Sequence, residues 1–207
     1  HDERRIPPLV LGHEAVGTAL TGPLASKRVA INPLMSCNDC DFCDSGNHHL
    51  CNSRELIGMR YPGAFAEQVM IPESNLTRLD DHLSFQDAAL AEPLAVAVRT
   101  VGLAESGGAT RDSRSVILGG GAIGLLCAKV MKAGGYAPPR IAETNSLRRA
   151  MLEGLGLGDC YDPRDGGPDE GSVDLVIDAV GMGATRAAPM PTAVSYTHLT
   201  LPTILLV

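Results

Sequence analysis

Four cysteines crowd one short stretch, Ser36 to Cys51 (SCNDCDFCDSGNHHLC), where Cys37, Cys40, Cys43 and Cys51 are separated by two, two and seven residues. Four thiolates so close in sequence suit one tetrahedral metal cage, and zinc is its default occupant. A pair of disulfides, or four unrelated core cysteines, is the alternative. The two-residue gaps favour chelation, and Asp39, Asp41, Asp44 and Asn47 are loop residues rather than core. Such a cage has no open coordination position. It pins a loop, so any reaction belongs elsewhere in the chain.

A second chemical signal is the glycine pattern Gly119, Gly121, Gly124, with Ala122 and Ile123 inside it, following the apolar run Val116–Leu118. The first glycine of such a turn makes the bend, the second lets backbone approach a pyrophosphate, and the third lets a helix pack on the strand. The helix N-terminus then faces the phosphates with its partial positive charge. Glu143 stands nineteen residues beyond Gly124, at the end of the next predicted strand. A carboxylate there can bind ribose hydroxyls and would repel a 2′-phosphate, which points to NAD over NADP. Arg148, five residues further on, leaves room for a phosphate.

The third signal is weaker. His13 and Glu14 lie side by side in GHEAVG, and Glu92 lies in AEPLAV among Ala89, Leu90, Ala91, Pro93, Leu94 and Ala95. A carboxylate in apolar company needs a partner, and a metal would supply one. His13 and Glu92 are thus candidate ligands of an open, catalytic zinc, although such a site normally takes three protein ligands and the residues alone show no third. A surface His–Glu pair and a structural Glu92 are the alternative.

The elements that must hold these residues fall into two styles. Residues 9–20 read as a strand, a bend and a second strand interrupted at Gly12 and Gly17; Arg28–Pro33 and Gly63–Pro72 read as further short strands. This first part is mostly β with many turns. From Phe85 the pattern changes: Ser84 caps an alanine-rich helix that Pro93 restarts, and strand, glycine turn and helix then follow from Ser115. Arg140–Glu143 is a second strand, Asn145 or Ser146 caps a helix through Leu155, and Val173–Ala179 is a third strand. Strands alternating with helices predict a parallel sheet. The domains expected are residues 1–88, 89–192 and a tail, 193–207.

Composition excludes several classes. The 207 residues carry a net charge of −7 and no Lys/Arg block, against nucleic acid as a partner. No apolar run reaches membrane-spanning length, so no membrane partner is expected. Thiols used as ligands point to a reducing cytoplasm. Cys127 and Cys160 read as isolated buried fillers. The tail departs from the rest: Val194–Val207 (VSYTHLTLPTILLV) has no charged residue and breaks the αβ rhythm. The DNA GTC TCT TAT ACA CAT CTG ACG CTG CCG ACG encodes VSYTHLTLPT and resembles the transposase adapter used to prepare sequencing libraries. The expectation is a truncated gene fragment whose natural sequence ends near residues 189–192.

Taken together, GHEAVG, the four-cysteine lobe, GAFAEQV, AEPLAVAV, VILGGGAIG and DLVIDAVG stand in the order found in zinc-dependent medium-chain dehydrogenases, which the chain resembles over residues 1 to about 188. EPLAVAV, with glutamate where alcohol dehydrogenases proper carry cysteine, is similar to the sorbitol or polyol dehydrogenase branch. The resemblance implies an α/β chain built from a GroES-like β-barrel and a Rossmann domain, both partial, with the substrate between them. It implies that His13 and Glu92 are catalytic-zinc ligands, that Glu14 is a neighbouring or exchanging ligand, and that Cys37, Cys40, Cys43 and Cys51 hold a structural zinc. It implies cofactor binding by Gly119, Gly121, Ala122, Ile123, Gly124, Glu143, Arg148 and Val180. It also implies zinc and NAD as cofactors, a polyol or alcohol substrate, and a dimeric or tetrameric parent.

Departures temper the match. The family's first catalytic ligand, a cysteine in a GICGSD-like segment, lies upstream of its GHE motif and so outside a chain starting at His1. Arg99 stands where relatives often place His, and TGPLASKRVA lacks the usual Gly-Asp before Arg-Val. The chain alone is expected to show no turnover. Two rivals remain open on the residues: a zinc-ribbon binding module, and a zinc-stapled dinucleotide-binding protein without catalytic zinc.

Overall fold

The computed structural model describes residues 6–182 and the backbone of residues 198–200. The chain divides into two units, His1–Glu92 and Pro93–Val207.

The first unit is built on short antiparallel pairings. Strands β1 (Val16–Thr18), β2 (Arg28–Ile31) and β5 (Leu76–Arg78) form one sheet in the order β1-β2-β5. Strands β3 (Leu34–Met35) and β4 (Glu55–Leu56) form a two-stranded ribbon that brackets the cysteine lobe in sequence. Ala30, Leu79 and Ala88 make a small core, with Val16 and Leu83 against it. Arg28 ties the end of β2 to the turn that follows β5. Its guanidinium donates to the carbonyls of Asp80, Asp81 and Leu83 and lies over the Phe85 ring, 4.4 Å from its centre. Helix α2 (Phe85–Ala88) starts there, with the Ser84 hydroxyl accepting from the Asp87 N–H.

Two expected strands of this unit do not form. Residues 9–15 are extended around a bend at Gly12 (φ +97°) but belong to no strand, and Gly63–Pro72 has no ladder either. The N–H groups of Gly63, Ala64 and Phe65 instead donate to the carbonyls of Val10, Gly12 and Leu11. Alternation predicts one face of a strand, but a strand also needs a partner. Here the only backbone partner from elsewhere in the chain, among the described residues, is the Val10–Gly12 bend, which forms no regular ladder with it.

Helix α3 (Ala91–Ser106) leads into the second unit, where Ala97, Val101 and Ala104 enter the main core. The sheet there has the order β10-β9-β6-β7-β8, from β6 (Ser115–Leu118), β7 (Arg140–Ala142), β8 (Asp159–Tyr161), β9 (Leu175–Asp178) and β10 (His198–Thr200). Every pairing in it is parallel. Ile117, Ile141, Leu175 and Ile177 are fully or almost fully buried, as strands covered on both faces must be. Helix α4 (Ala122–Ala133) follows β6 and buries Leu126, Cys127, Ala128 and Met131; α5 (Ser146–Gly154) follows β7, capped by the Asn145 side chain. The chain runs outward from β6 through β7 to β8, then returns to β9 on the other side of β6. That reversal opens a crevice at the carboxyl ends of β6 and β9, where sheets of this kind take ligands. The expected tail, 193–207, lies outside the described residues except for the backbone of β10.

Candidate metal centres and nucleotide site

The cysteine lobe brings Cys37, Cys40, Cys43 and Cys51 together, with all four ligand atoms within 4.8 Å of one another. Sulfur separations are 3.5 Å (Cys37–Cys51), 3.6 Å (Cys40–Cys43) and 3.9 Å (Cys37–Cys43). A tetrahedron with metal–sulfur bonds of about 2.3 Å has edges of about 3.8 Å, whereas a disulfide needs about 2.05 Å. The donor set therefore fits a zinc ion, and the disulfide alternative falls: all these cysteines are free. Helix α1 (Asp41–Asp44) carries Cys43, and a 3₁₀ turn, His48–Leu50, delivers Cys51. The thiols are unlike one another. The Cys37 N–H donating to the Cys51 sulfur is the main cause that lowers Cys51 to about 7. For Cys37, the Asp39 N–H pulls down, but the neighbouring Cys51 and Cys40 thiols push it up to about 12. A dication reverses that crowding, because each sulfur then faces a positive charge.

His13, Glu14 and Glu92 also converge, each offering a donor atom within 4.8 Å of the other two. Glu14, adjacent to His13, is the third donor that residue types alone did not place. Glu92 is half-buried rather than deeply buried, since Leu90, Ala91, Leu94 and Ala95 are exposed. Burial raises its pKa, Glu14 adds to the rise, and His13 opposes it. Two carboxylates and an imidazole held this closely suit a divalent cation, and the chemistry of the set fits zinc. A cleft of about 310 Å³ adjoins the trio, lined by Leu11, Gly12, His13, Glu14, Gly58 and Phe65. Sequence reading missed Gly58 and Phe65; nothing in their local pattern signals a place beside Gly12 in this cleft.

In the second unit the glycine turn has the bend and the close helix packing expected of its first and third glycines. Gly119 takes φ +93° and lies under Val180, whose Cγ2 would sit 2.6 Å from a Cβ there. Gly121, at the N-cap of α4, faces open space. A Cβ on Gly124 would lie 1.9 Å from the Gly119 carbonyl oxygen, so the helix can approach only because residue 124 has none. Glu143 is 6% exposed and sits beneath the turn. Its Oε2 accepts from the Gly120 N–H at 3.0 Å and its Oε1 from the Asn145 N–H at 2.8 Å, while the Arg148 guanidinium stands 3.5 Å from Oε2. Burial works against its charge, but these donors outweigh it and the pKa is lowered. Glu143 is therefore a structural tie between turn and helix. Asp178, fully buried, accepts from the Val180 and Gly181 N–H groups and sets the loop bearing Val180. Cys127 is fully buried, its thiol pushed to about 12 by burial, and Cys160 is also raised by burial. Cys127 is a core filler, whereas Cys160 is only partly buried and packs against the edge of that core.

Residues 2–81 match the alcohol dehydrogenase GroES-like domain family. The chain is 37% identical over 137 residues to "Probable D-xylulose reductase A" of Aspergillus fumigatus, covering 63% of this chain and 37% of that protein. It is 31% identical over 194 residues to D-altritol 5-dehydrogenase of Agrobacterium fabrum, covering 89% of this chain and 57% of that one. A structure described as a zinc-binding dehydrogenase from Sinorhizobium meliloti 1021, bound to NADP, superposes with a TM-score of 0.83 at 29% identity, covering 95% of this chain and 62% of that one.

Residues 2–81 thus belong to the alcohol dehydrogenase GroES-like domain family, and the chain is similar along most of its length to polyol and zinc-binding dehydrogenases.

As in its medium-chain relatives, a GroES-like unit is followed by a partial Rossmann unit with a parallel sheet. The chain spans between 37% and 62% of the length of the three relatives named. Among the described residues, both candidate metal clusters lie in the first unit, and the glycine turn lies in the second.

Proposed function

We propose that this chain is part of a zinc-dependent NAD(P) oxidoreductase that oxidises a secondary alcohol of a polyol to a ketone. The observation that carries the reading is the convergence of Glu92 on the His13–Glu14 pair, far from it in sequence, in a chain that also holds a glycine turn of the dinucleotide type. Bound at these residues, zinc supplies Lewis acidity that lowers the pKa of an alcohol oxygen, and a nicotinamide ring supplies a hydride acceptor. His13 offers an imidazole nitrogen and Glu92 a half-buried carboxylate; a carboxylate in place of a thiolate changes how strongly the donor set tempers the metal's acidity. Leu11 and Phe65 give the adjacent cleft apolar walls, a size and character suited to a small molecule. Cys37, Cys40, Cys43 and Cys51 hold a second zinc that staples the lobe. The relatives' names, a xylulose reductase and an altritol dehydrogenase, favour a sugar alcohol.

Gly119, Gly121, Ala122, Ile123 and Gly124 receive the pyrophosphate, and Val180 flanks it. The ionised Glu143 favours a ribose hydroxyl over a 2′-phosphate, so NAD is the preferred cofactor even though one relative was solved with NADP. Arg148 closes the adenosine end. The parent acts as a homo-oligomer. The test is the complete parent protein with zinc, NAD or NADP, and a panel of pentitols and hexitols, followed at the nicotinamide absorbance. Reduction with at least one polyol, faster with NAD, is expected. No reduction with any alcohol would sink the reading.

A further inference from the structure

The segment that aims His13 is held without side chains. Gly63, Ala64 and Phe65 donate N–H bonds of 2.7, 2.9 and 2.9 Å to the carbonyls of Val10, Gly12 and Leu11. From the same side, a Cβ on Gly63 would stand 2.3 Å from the Gly12 oxygen and 2.5 Å from the Leu11 oxygen. Gly58 approaches the same peptide: its Cβ would lie 2.7 Å from the Gly12 oxygen and 2.8 Å from the Gly12 nitrogen. Gly12 itself sits at φ +97°, with the Phe65 ring where its own side chain would be. All these collisions are with backbone or a ring seated on it, so none is relieved by turning a flexible side chain. Gly58 is anchored by the buried Ile57 and Met59 on either side and donates to the Tyr61 carbonyl. The Leu11–Gly12 backbone, one residue before His13, is thus approached closely by two glycines of a distant loop.

We propose that Gly63, together with Gly58, is a positioning residue for the metal-binding trio. Their missing side chains allow the backbone clasp that directs His13 toward Glu14 and Glu92. This rests on the reading of those three residues as cation ligands. Gly63 has no positive φ, so alanine is conformationally acceptable there and the substitution tests the close approach alone.

The test is cobalt(II) titration of the full chain, read at two places. Thiolate-to-cobalt charge-transfer bands report the four-cysteine cage, and visible d–d bands without thiolate character, with total metal per chain, report the His13 site. Wild type is expected to take two ions. Gly63→Ala is expected to keep the cage bands and bind the second ion at least ten-fold more weakly. Ala64→Pro, which deletes the bond to the Gly12 carbonyl without adding a Cβ at 63, is expected to do the same. Gly17→Ala, whose Cβ meets nothing within 4 Å, should keep both ions. If Gly63→Ala binds the second ion with wild-type affinity, the proposal is wrong while the metal reading stands. If both clasp variants lose the cage bands as well, the clasp supports the whole unit and a role specific to His13 is overturned. If wild type takes one ion only, the metal reading of His13, Glu14 and Glu92 fails, and the proposal with it.

Discussion

In the proposed function a single carboxylate, Glu143, would serve two demands that pull apart. Binding ribose hydroxyls requires an accessible anion, yet this group is buried and already accepts two backbone N–H bonds. It can do both because a carboxylate has more lone pairs than those two donors use. Glu143→Ala should therefore cost stability, about 1–3 kcal/mol from buried donors left unsatisfied, measurable by urea unfolding. Glu143→Gln keeps one acceptor and removes the charge. It should weaken NADH binding while leaving NADPH binding unchanged or tighter, read by cofactor fluorescence; an unchanged NADH/NADPH ratio would reject the role in cofactor choice. A second residue-level effect is purely structural. Asp174 receives the Arg114 backbone N–H and a forked guanidinium contact, which hold its pKa at about 2. Its folded pKa lies below its unfolded one, so the stabilisation is complete above about pH 4 and is lost as pH falls toward 2. Asp174→Asn should be less stable than wild type at pH 6, with the gap narrowing in urea melts as the pH approaches 3. The place of Glu143, at the end of the strand after the glycine turn, was legible from its spacing. Its burial was not, because the Gly120 N–H that draws it inward belongs to another strand end.

At the scale of elements, the regular αβ rhythm was readable and the irregular unit less so. Strands β6, β7 and β9 and helices α4 and α5 follow local apolar patterns with local caps, so sequence order and structure agree. Strand β8 was missed because Asp-Cys-Tyr has no apolar run; it is placed by parallel pairing with β7. The Gly63–Pro72 segment errs the other way: its alternation is real, but its first N–H groups are committed to the His13 loop and Met70 is 97% exposed. The cysteine lobe is the clearest case of an element that apolar burial does not build. Phe42 and Leu50 are 39% and 45% exposed, and Cys43 and Cys51 are the only buried apolar side chains between residues 37 and 51. Metal ligation must supply what packing does not; in small zinc peptides it is worth about 10–16 kcal/mol. Chelation with EDTA should make residues 37–51 exchange amide hydrogens and yield to protease, with the Rossmann sheet unaffected. Since zinc must displace protons from the thiols, metal should also be released on acidification. Protection unchanged by chelator would mean the lobe folds without metal.

At the scale of the whole molecule, the question is how much of the chain is native protein. Strand β10, His198–Thr200, pairs in parallel with β9 through Val176, Ile177 and Asp178. That pairing does not establish ancestry. A parallel ladder uses backbone N–H and C=O groups, and any short segment of threonine and leucine presented to an open sheet edge can satisfy them. The stretch Val194–Thr203 is accounted for residue by residue by ten consecutive codons of an adapter sequence, an agreement that β-propensity has no reason to produce. We therefore propose that residues 193–207 are not part of the parent protein, and that the edge beside β9 is filled there by a different strand. Sequencing the parent locus across the codons for residues 185–207 should show the open reading frame departing from this sequence near residue 193. An uninterrupted gene encoding VSYTHLTLPT would make β10 a native strand and overturn the proposal. The same experiment bears on activity: a chain whose sheet edge is occupied by foreign sequence should bind metal through the first unit yet reduce no nicotinamide, whereas the restored parent should do both.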